Sequence, residues 1–106
     1  MAKKMSIPNE TKQVIEGRIN RFNKQHRCQY IPRYKNDCLY LDRQDGEALS
    51  CICRLTYNGK LDDWDFAIFK YSSEQYDDEE FFFPGADFVD GTVEGAMMAG
   101  LEAYPW

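Results

Sequence analysis

Hydrophobic and polar positions change their period three times along the chain. Ile7, Thr11, Val14, Ile15, Ile19 and Phe22 recur at three- and four-residue spacing, which winds them onto one face of a helix. Ser6 can cap that helix and Pro8 is tolerated in its first turn, so a helix is expected from Ser6 to about His26. The period then drops to two. Cys28–Tyr34, Cys38–Leu41, Leu49–Leu55 and Trp64–Phe69 alternate, separated by the turn-forming Lys35-Asn36-Asp37, Asp45-Gly46 and Asn58-Gly59. They read as a four-stranded antiparallel meander of order 1-2-3-4. Pro32 cannot donate to a ladder, which puts the first strand at an edge. No period survives from Ser72 to Asp90. Val93, Met97, Leu101 and Tyr104 then return to helical spacing, with Asp90 or Thr92 as cap and Trp106 tied down at the end. Gly95, Ala96, Ala99, Gly100 and Ala103 make this last helix narrow enough for close approach.

Turn chemistry also proposes a register. A two-residue loop at Asn58-Gly59 pairs Leu49 with Ile68, Cys51 with Phe66, Cys53 with Trp64 and Arg54 with Asp63. A similar loop at Asp45-Gly46 pairs Tyr40 with Cys51, Cys38 with Cys53 and Leu39 with Ile52. Together they predict a core face of Cys38, Tyr40, Leu49, Cys51, Cys53, Leu55, Trp64, Phe66 and Ile68. The other face mixes Leu39, Leu41, Ile52, Ala67, Phe69 and Tyr71 with an Asp37–Arg54–Asp63 row and Asp65. That many apolar residues require a cover: a dimer partner, another protein or the long loop. The expected fold is α+β, in the order α-β-β-β-β-α, with both helices on the cysteine and tryptophan face. One domain spans 6–106 behind a flexible tail at 1–5.

Composition fits one globular domain: 106 residues, 43% hydrophobic and 29% charged, can bury a core without staples. No apolar run approaches the ~20 residues of a membrane span, and none follows Lys3-Lys4 as a signal peptide would require, so the cytoplasm is the expected location. The net charge of −5 divides into +5 over residues 1–54 and −10 over 55–106. The halves are expected to complement each other, and the acidic total opposes nonspecific binding to phosphates.

Candidate chemistry is sparse. The registers gather Cys38, Cys51 and Cys53, and with His26 or Cys28 they have the donor set of a tetrahedral zinc site. Cys-x-Cys lacks the knuckle spacing, and cysteine packs readily as a small buried hydrophobe, so no metal or other cofactor is expected. His26 closes the first helix, where it meets the dipole favourably; with a cysteine it lacks a third, orienting group. Asp63 and Asp65 share a face and have the chemistry for a cation or an acid/base pair, with Arg54 available to neutralise Asp63. No phosphate-cradling, dinucleotide, nucleophile-elbow or zinc-helix motif occurs, so catalysis has no positive support and the reading leans away from an enzyme without deciding it.

Three functional expectations follow. The leading one is a protein-binding or self-associating module, using the surface around Leu39, Leu41, Ile52, Arg54, Asp63, Asp65 and Phe69, or the narrow last helix. Its rival is a small enzyme or ligand binder with a pocket under Phe81, Phe82 and Phe83, where Asp63 or Asp65 is the polar group. A third is RNA or DNA binding through the basic first helix, by Arg18, Arg21, Lys24 and Arg27. The element order resembles that of double-stranded-RNA-binding domains, whose second helix begins with basic residues; here Asp90-Gly91-Thr92-Val93-Glu94 begins it, without Lys or Arg. Phe83-Pro84-Gly85 followed by Asp90-Gly91-Thr92-Val93-Glu94-Gly95-Ala96 resembles the strand-to-helix passage of HicB-type antitoxins, which implies a partner-binding role.

Overall fold

In the computed structural model, which describes residues 6–80 and 82–105, the first helical pattern becomes α1 (Asn9–His26). Expectations for residues 1–5, Phe81 and Trp106 lie outside the described residues. Ile15, Ile19 and Phe22 are buried, whereas Val14 turns to solvent at 44% exposure. Pro8, not Ser6, precedes the helix, and it makes no side-chain cap. The helix ends at Arg27 in the left-handed region, φ 54°. Asn23 then reaches forward: its Oδ1 accepts from the Tyr30 amide (2.8 Å) and its Nδ2 donates to the Tyr30 carbonyl (3.1 Å), so a helix side chain sets where the sheet begins.

The sheet has five strands in sequence order, β1 (Tyr30–Lys35), β2 (Cys38–Asp45), β3 (Ala48–Tyr57), β4 (Trp64–Lys70) and β5 (Gln75–Asp77). Neighbours are antiparallel throughout. The α+β meander with Pro32 on an edge strand is therefore as expected, extended by one strand. β5 is three polar-flanked residues, too short to show a period. A single 3₁₀ turn at Ala86–Phe88 leads to α2 (Val93–Ala103), where Thr92 Oγ1 accepts from the Gly95 amide at 2.9 Å. Both helices pack on one face of the sheet and touch each other.

Both hairpin registers differ from those the turn residues predict. The β3–β4 ladder ends at Tyr57 opposite Trp64, leaving a six-residue loop, 58–63. Tyr57 and Trp64 meet in the core with ring centroids 5.0 Å apart, and Trp64 Nε1 donates to the Leu61 carbonyl at 2.6 Å. Burying that aromatic pair outweighs two further rungs with Asp62 and Asp63 in them. Cys53 consequently faces Ile68, and Arg54 faces Ala67 rather than Asp63. The slide is by an even number of residues, so it leaves the faces intact.

The β2–β3 hairpin behaves differently. Its loop is Gly46-Glu47, with Asp45 opposite Ala48, and the register slips between Leu41 and Asp42 where Ile52 has no opposite residue. This bulge turns Ile52 and Cys53 inward together, both at 0% exposure. Past it the faces are inverted. Leu39 and Leu41 enter the core opposite Leu55 and Cys53; Cys38 and Tyr40 turn outward opposite Thr56 and Arg54. Cys51 also turns outward, opposite Asp42, and Leu49 is 57% exposed. The predicted three-cysteine patch and the Asp37–Arg54–Asp63 row therefore do not form.

The core lies between the helices and Tyr30, Leu39, Leu41, Ile52, Cys53, Leu55, Trp64, Phe66 and Ile68, each large side chain stabilising the fold by about 1.5–3 kcal/mol. Close approach of α2 depends on Gly100, where a Cβ would lie 2.4 Å from Tyr30 Oη and 2.5 Å from Ile52. Among the described residues no helix is long and apolar enough to cross a membrane.

Candidate functional site

With both helices on one face, no helix among the described residues lies over the other face of the sheet. The corrected registers bring Arg33 of β1, Tyr40 and Asp42 of β2, Cys51 and Arg54 of β3, Asp65, Ala67 and Phe69 of β4, and Tyr76 of β5 onto it. Their contacts run across the strands. Arg33 Nε donates to Asp42 Oδ2 at 3.1 Å, and the Arg33 guanidinium lies 4.4 Å from the Tyr40 ring centre. Tyr40 meets Tyr76 edge-on at 5.3 Å, and Tyr76 meets Phe69 edge-on at 5.0 Å. Arg54 sits 5.5 Å from the Tyr76 ring centre. Rings and guanidiniums thus form a layer on the sheet, beneath which Ala67 and Asp42 are 2% and 6% exposed with no helix over them.

That layer carries unsatisfied polarity. Asp42 Oδ1 and Arg54 Nε are buried and have no hydrogen-bond partner among the described residues, a cost of about 1–3 kcal/mol for each such group; Tyr76 Oη is buried beside the Cys51 thiol and the Arg33 guanidinium without a well-formed hydrogen bond to either. Burial, followed by the neighbouring Cys51 thiol and Asp42 carboxylate, pushes the Tyr76 hydroxyl well above its ordinary value. The hydrogen bond to Asp42 raises Arg33. Arg18, Arg33 and Arg43 pair with Asp62, Asp42 and Asp45 respectively. Arg54, half-buried on a central strand, has no carboxylate among the described residues. Tyrosine and arginine anchors with fixed rotamers are the residue types that dominate binding energy at protein interfaces.

The predicted site residues divide. Arg54, Asp65 and Phe69 lie on this face, whereas Leu39, Leu41 and Ile52 are in the core and offer no surface. Asp63 is exposed in the 58–63 loop, away from Arg54. Phe83 stacks on Phe66 at 5.9 Å, and Phe82 is 98% exposed. Together with Ile68, Tyr71, Pro84 and Tyr104 they line a cleft of about 350 Å³. Its charged groups are Lys70 and Glu80, 3.1 Å apart, and not Asp63 or Asp65. On α1, Arg18 is occupied by Asp62 (2.7 Å) and Glu94 (3.5 Å), while Arg21, Lys24 and Arg27 are exposed. His26 stacks on Phe22 at 4.1 Å. Among the described residues no group of three or more His, Cys, Asp or Glu is placed to hold a metal. Burial pushes the thiols of Cys28, Cys38 and Cys53 up, which makes them poor nucleophiles.

Arg33, Tyr40, Asp42 and Tyr76 were not legible as site residues: the bulge at Ile52 decides the face of Tyr40 and of Arg33 opposite it, β5, which carries Tyr76, is too short to show a period, and the polar run Asp42-Arg43-Gln44-Asp45 hides the second half of β2. The strand continues through it because Arg43, 1% exposed, is satisfied from inside. Its Nε and Nη2 donate to Asp45 at 2.7 and 3.1 Å, Nη1 donates to the Gly100 carbonyl at 3.4 Å, and Nη2 donates to the Tyr104 carbonyl at the end of α2. Alternation of Tyr40, Asp42 and Gln44 against Leu39, Leu41 and Arg43 is the signal that would have revealed the face. No protein-family model matches the chain, and no curated protein or solved structure does.

Proposed function

We propose that the protein is a non-enzymatic interaction module that binds another polypeptide through the helix-free face of its sheet. The observation that carries this reading is the layer of Arg33, Tyr40, Arg54, Phe69 and Tyr76 around buried polar atoms of Asp42 and Arg54 without partners among the described residues. Aromatic rings already packed against one another lose little side-chain entropy on association, and arginines bring directional donors. Strand spacing and rise give the face roughly 500 Å² per copy, so an interface of about 1,000 Å², at the lower limit for a specific complex. Affinity in the micromolar range is the corresponding expectation. A reducing cytoplasm suits the four free cysteines.

The test compares proteins captured from a cell extract by the immobilised wild-type chain and by single variants. Tyr40→Ala or Tyr76→Ala should weaken capture by about tenfold or more, while Arg21→Ala and Lys24→Ala leave it unchanged. A small apolar ligand in the cleft is the second reading, favoured by Phe82 standing 98% exposed at its rim. Capture indifferent to Tyr76→Ala, together with binding of an apolar fluorescent probe that is lost with Phe82→Ala, would transfer the function there.

A further inference from the structure

We infer that the occupant of the open face is a second copy of this chain, related by a two-fold axis that exchanges Arg54 and Asp65 between copies; this rests on the open-face reading above. Arg54 and Asp65 stand on the same face of adjacent central strands. Arg54 is opposite Ala67, so Asp65 is its diagonal neighbour, about 7–8 Å away. They carry opposite charges and yet do not pair with each other or, among the described residues, with any other ion. Asp65 is exposed. Arg54 is held against the Tyr76 ring with its Nε buried, and the residue as a whole is half-buried, not covered. A long side chain packed along a ring in this way is pre-positioned for a carboxylate brought to the face.

A dimer closes only if one patch is complementary to itself. A cation and an anion side by side on one face meet that condition. A two-fold axis lying in the interface, perpendicular to the line between them, sets each Arg54 over Asp65 of the other copy and makes two ion pairs per dimer. Arg33 and Asp42 already neutralise each other beside them, so the middle of the face carries no net charge to oppose stacking, although the chain as a whole is at −5. Tyr40, Phe69 and Tyr76 flank the two pairs and exclude water from them.

Sedimentation equilibrium of the full chain from about 10 to 500 μM, a range set by the small interface, provides the test. The wild type should dimerise. Arg54→Asp alone and Asp65→Arg alone should each raise the dissociation constant by about 100-fold or more, because like charges then face one another twice. An equimolar mixture of the two variants should regain a dimer with one copy of each. There the new carboxylate meets the new guanidinium, and the native Asp65 meets the native Arg54. A wild type monomeric across the range, or a mixture that stays monomeric, overturns the inference. If the wild type is monomeric but its capture of other proteins still depends on Tyr76, only the second copy is excluded; if capture is also indifferent to Tyr76, the open-face reading falls with it.

Discussion

Arg43 shows what a single buried side chain does here. Its guanidinium ties the end of β2 to the last carbonyls of α2 and leaves Asp45 neutralised. Truncation strands that carboxylate and those carbonyls, so Arg43→Ala should lower unfolding free energy by about 3 kcal/mol in urea titration. Arg43→Lys should recover only part of it, since an ammonium cannot make the fork. Tyr34 presents the reverse case: its hydroxyl is buried without a partner, and burial pushes it up to about 12. Removing it in Tyr34→Phe should leave stability unchanged or raise it by up to ~1 kcal/mol. The tyrosines also fix the alkaline limit. Tyr30, Tyr34 and Tyr76 are all raised in the fold from an ordinary 10.0 by burial. The folded state thus binds more protons than the unfolded above pH 10, and the stabilisation present below that pH is lost as pH rises toward 12 and beyond. The tyrosinate absorbance of Tyr30, Tyr34 and Tyr76 should appear together with the loss of circular dichroism, which Phe variants at these positions identify. Ionisation of Tyr30, Tyr34 and Tyr76 near pH 10 with the fold intact would contradict the burial.

At the scale of elements, a few positions decided what could be read in advance. The spacing of Ile15, Ile19 and Phe22 revealed α1, and the turn residues revealed the strand order. Alternation gave the inward face of β4 and of Cys53 and Leu55, but the face of β2 and of Leu49 and Cys51 was not legible, because an extra residue at Ile52 reverses the pairing and leaves no mark in local composition. β5 escaped through its length. Two glycines on the helices make opposite expectations. Gly17, exposed on α1, has nothing within 4 Å of a Cβ, so Gly17→Ala should stabilise by up to about 1 kcal/mol. Gly100→Ala drives a methyl against Tyr30 and Ile52 and should cost about 1–3 kcal/mol. Thermal or urea unfolding distinguishes the two signs.

For the whole molecule, the division of charge between the two halves accounts for only part of the pairing. Arg18 does join the first half to Asp62 and Glu94 of the second, but Arg33 and Arg43 pair within the first half, with Asp42 and Asp45. Both helices gather on one side and leave the other to an arginine and aromatic layer with buried atoms unpaired. The claim that this layer is the binding surface is tested most directly by the amide NMR spectrum of the isotope-labelled chain, recorded dilute, then concentrated, then in cell extract. Shifts and broadening should cluster at Arg33, Tyr40, Arg54, Ala67 and Tyr76, with α1 and the Phe82–Gly85 segment unchanged. Unperturbed signals at those five positions, with changes confined to Arg21, Lys24 and Arg27 or to Phe82 and Phe83, would contradict it.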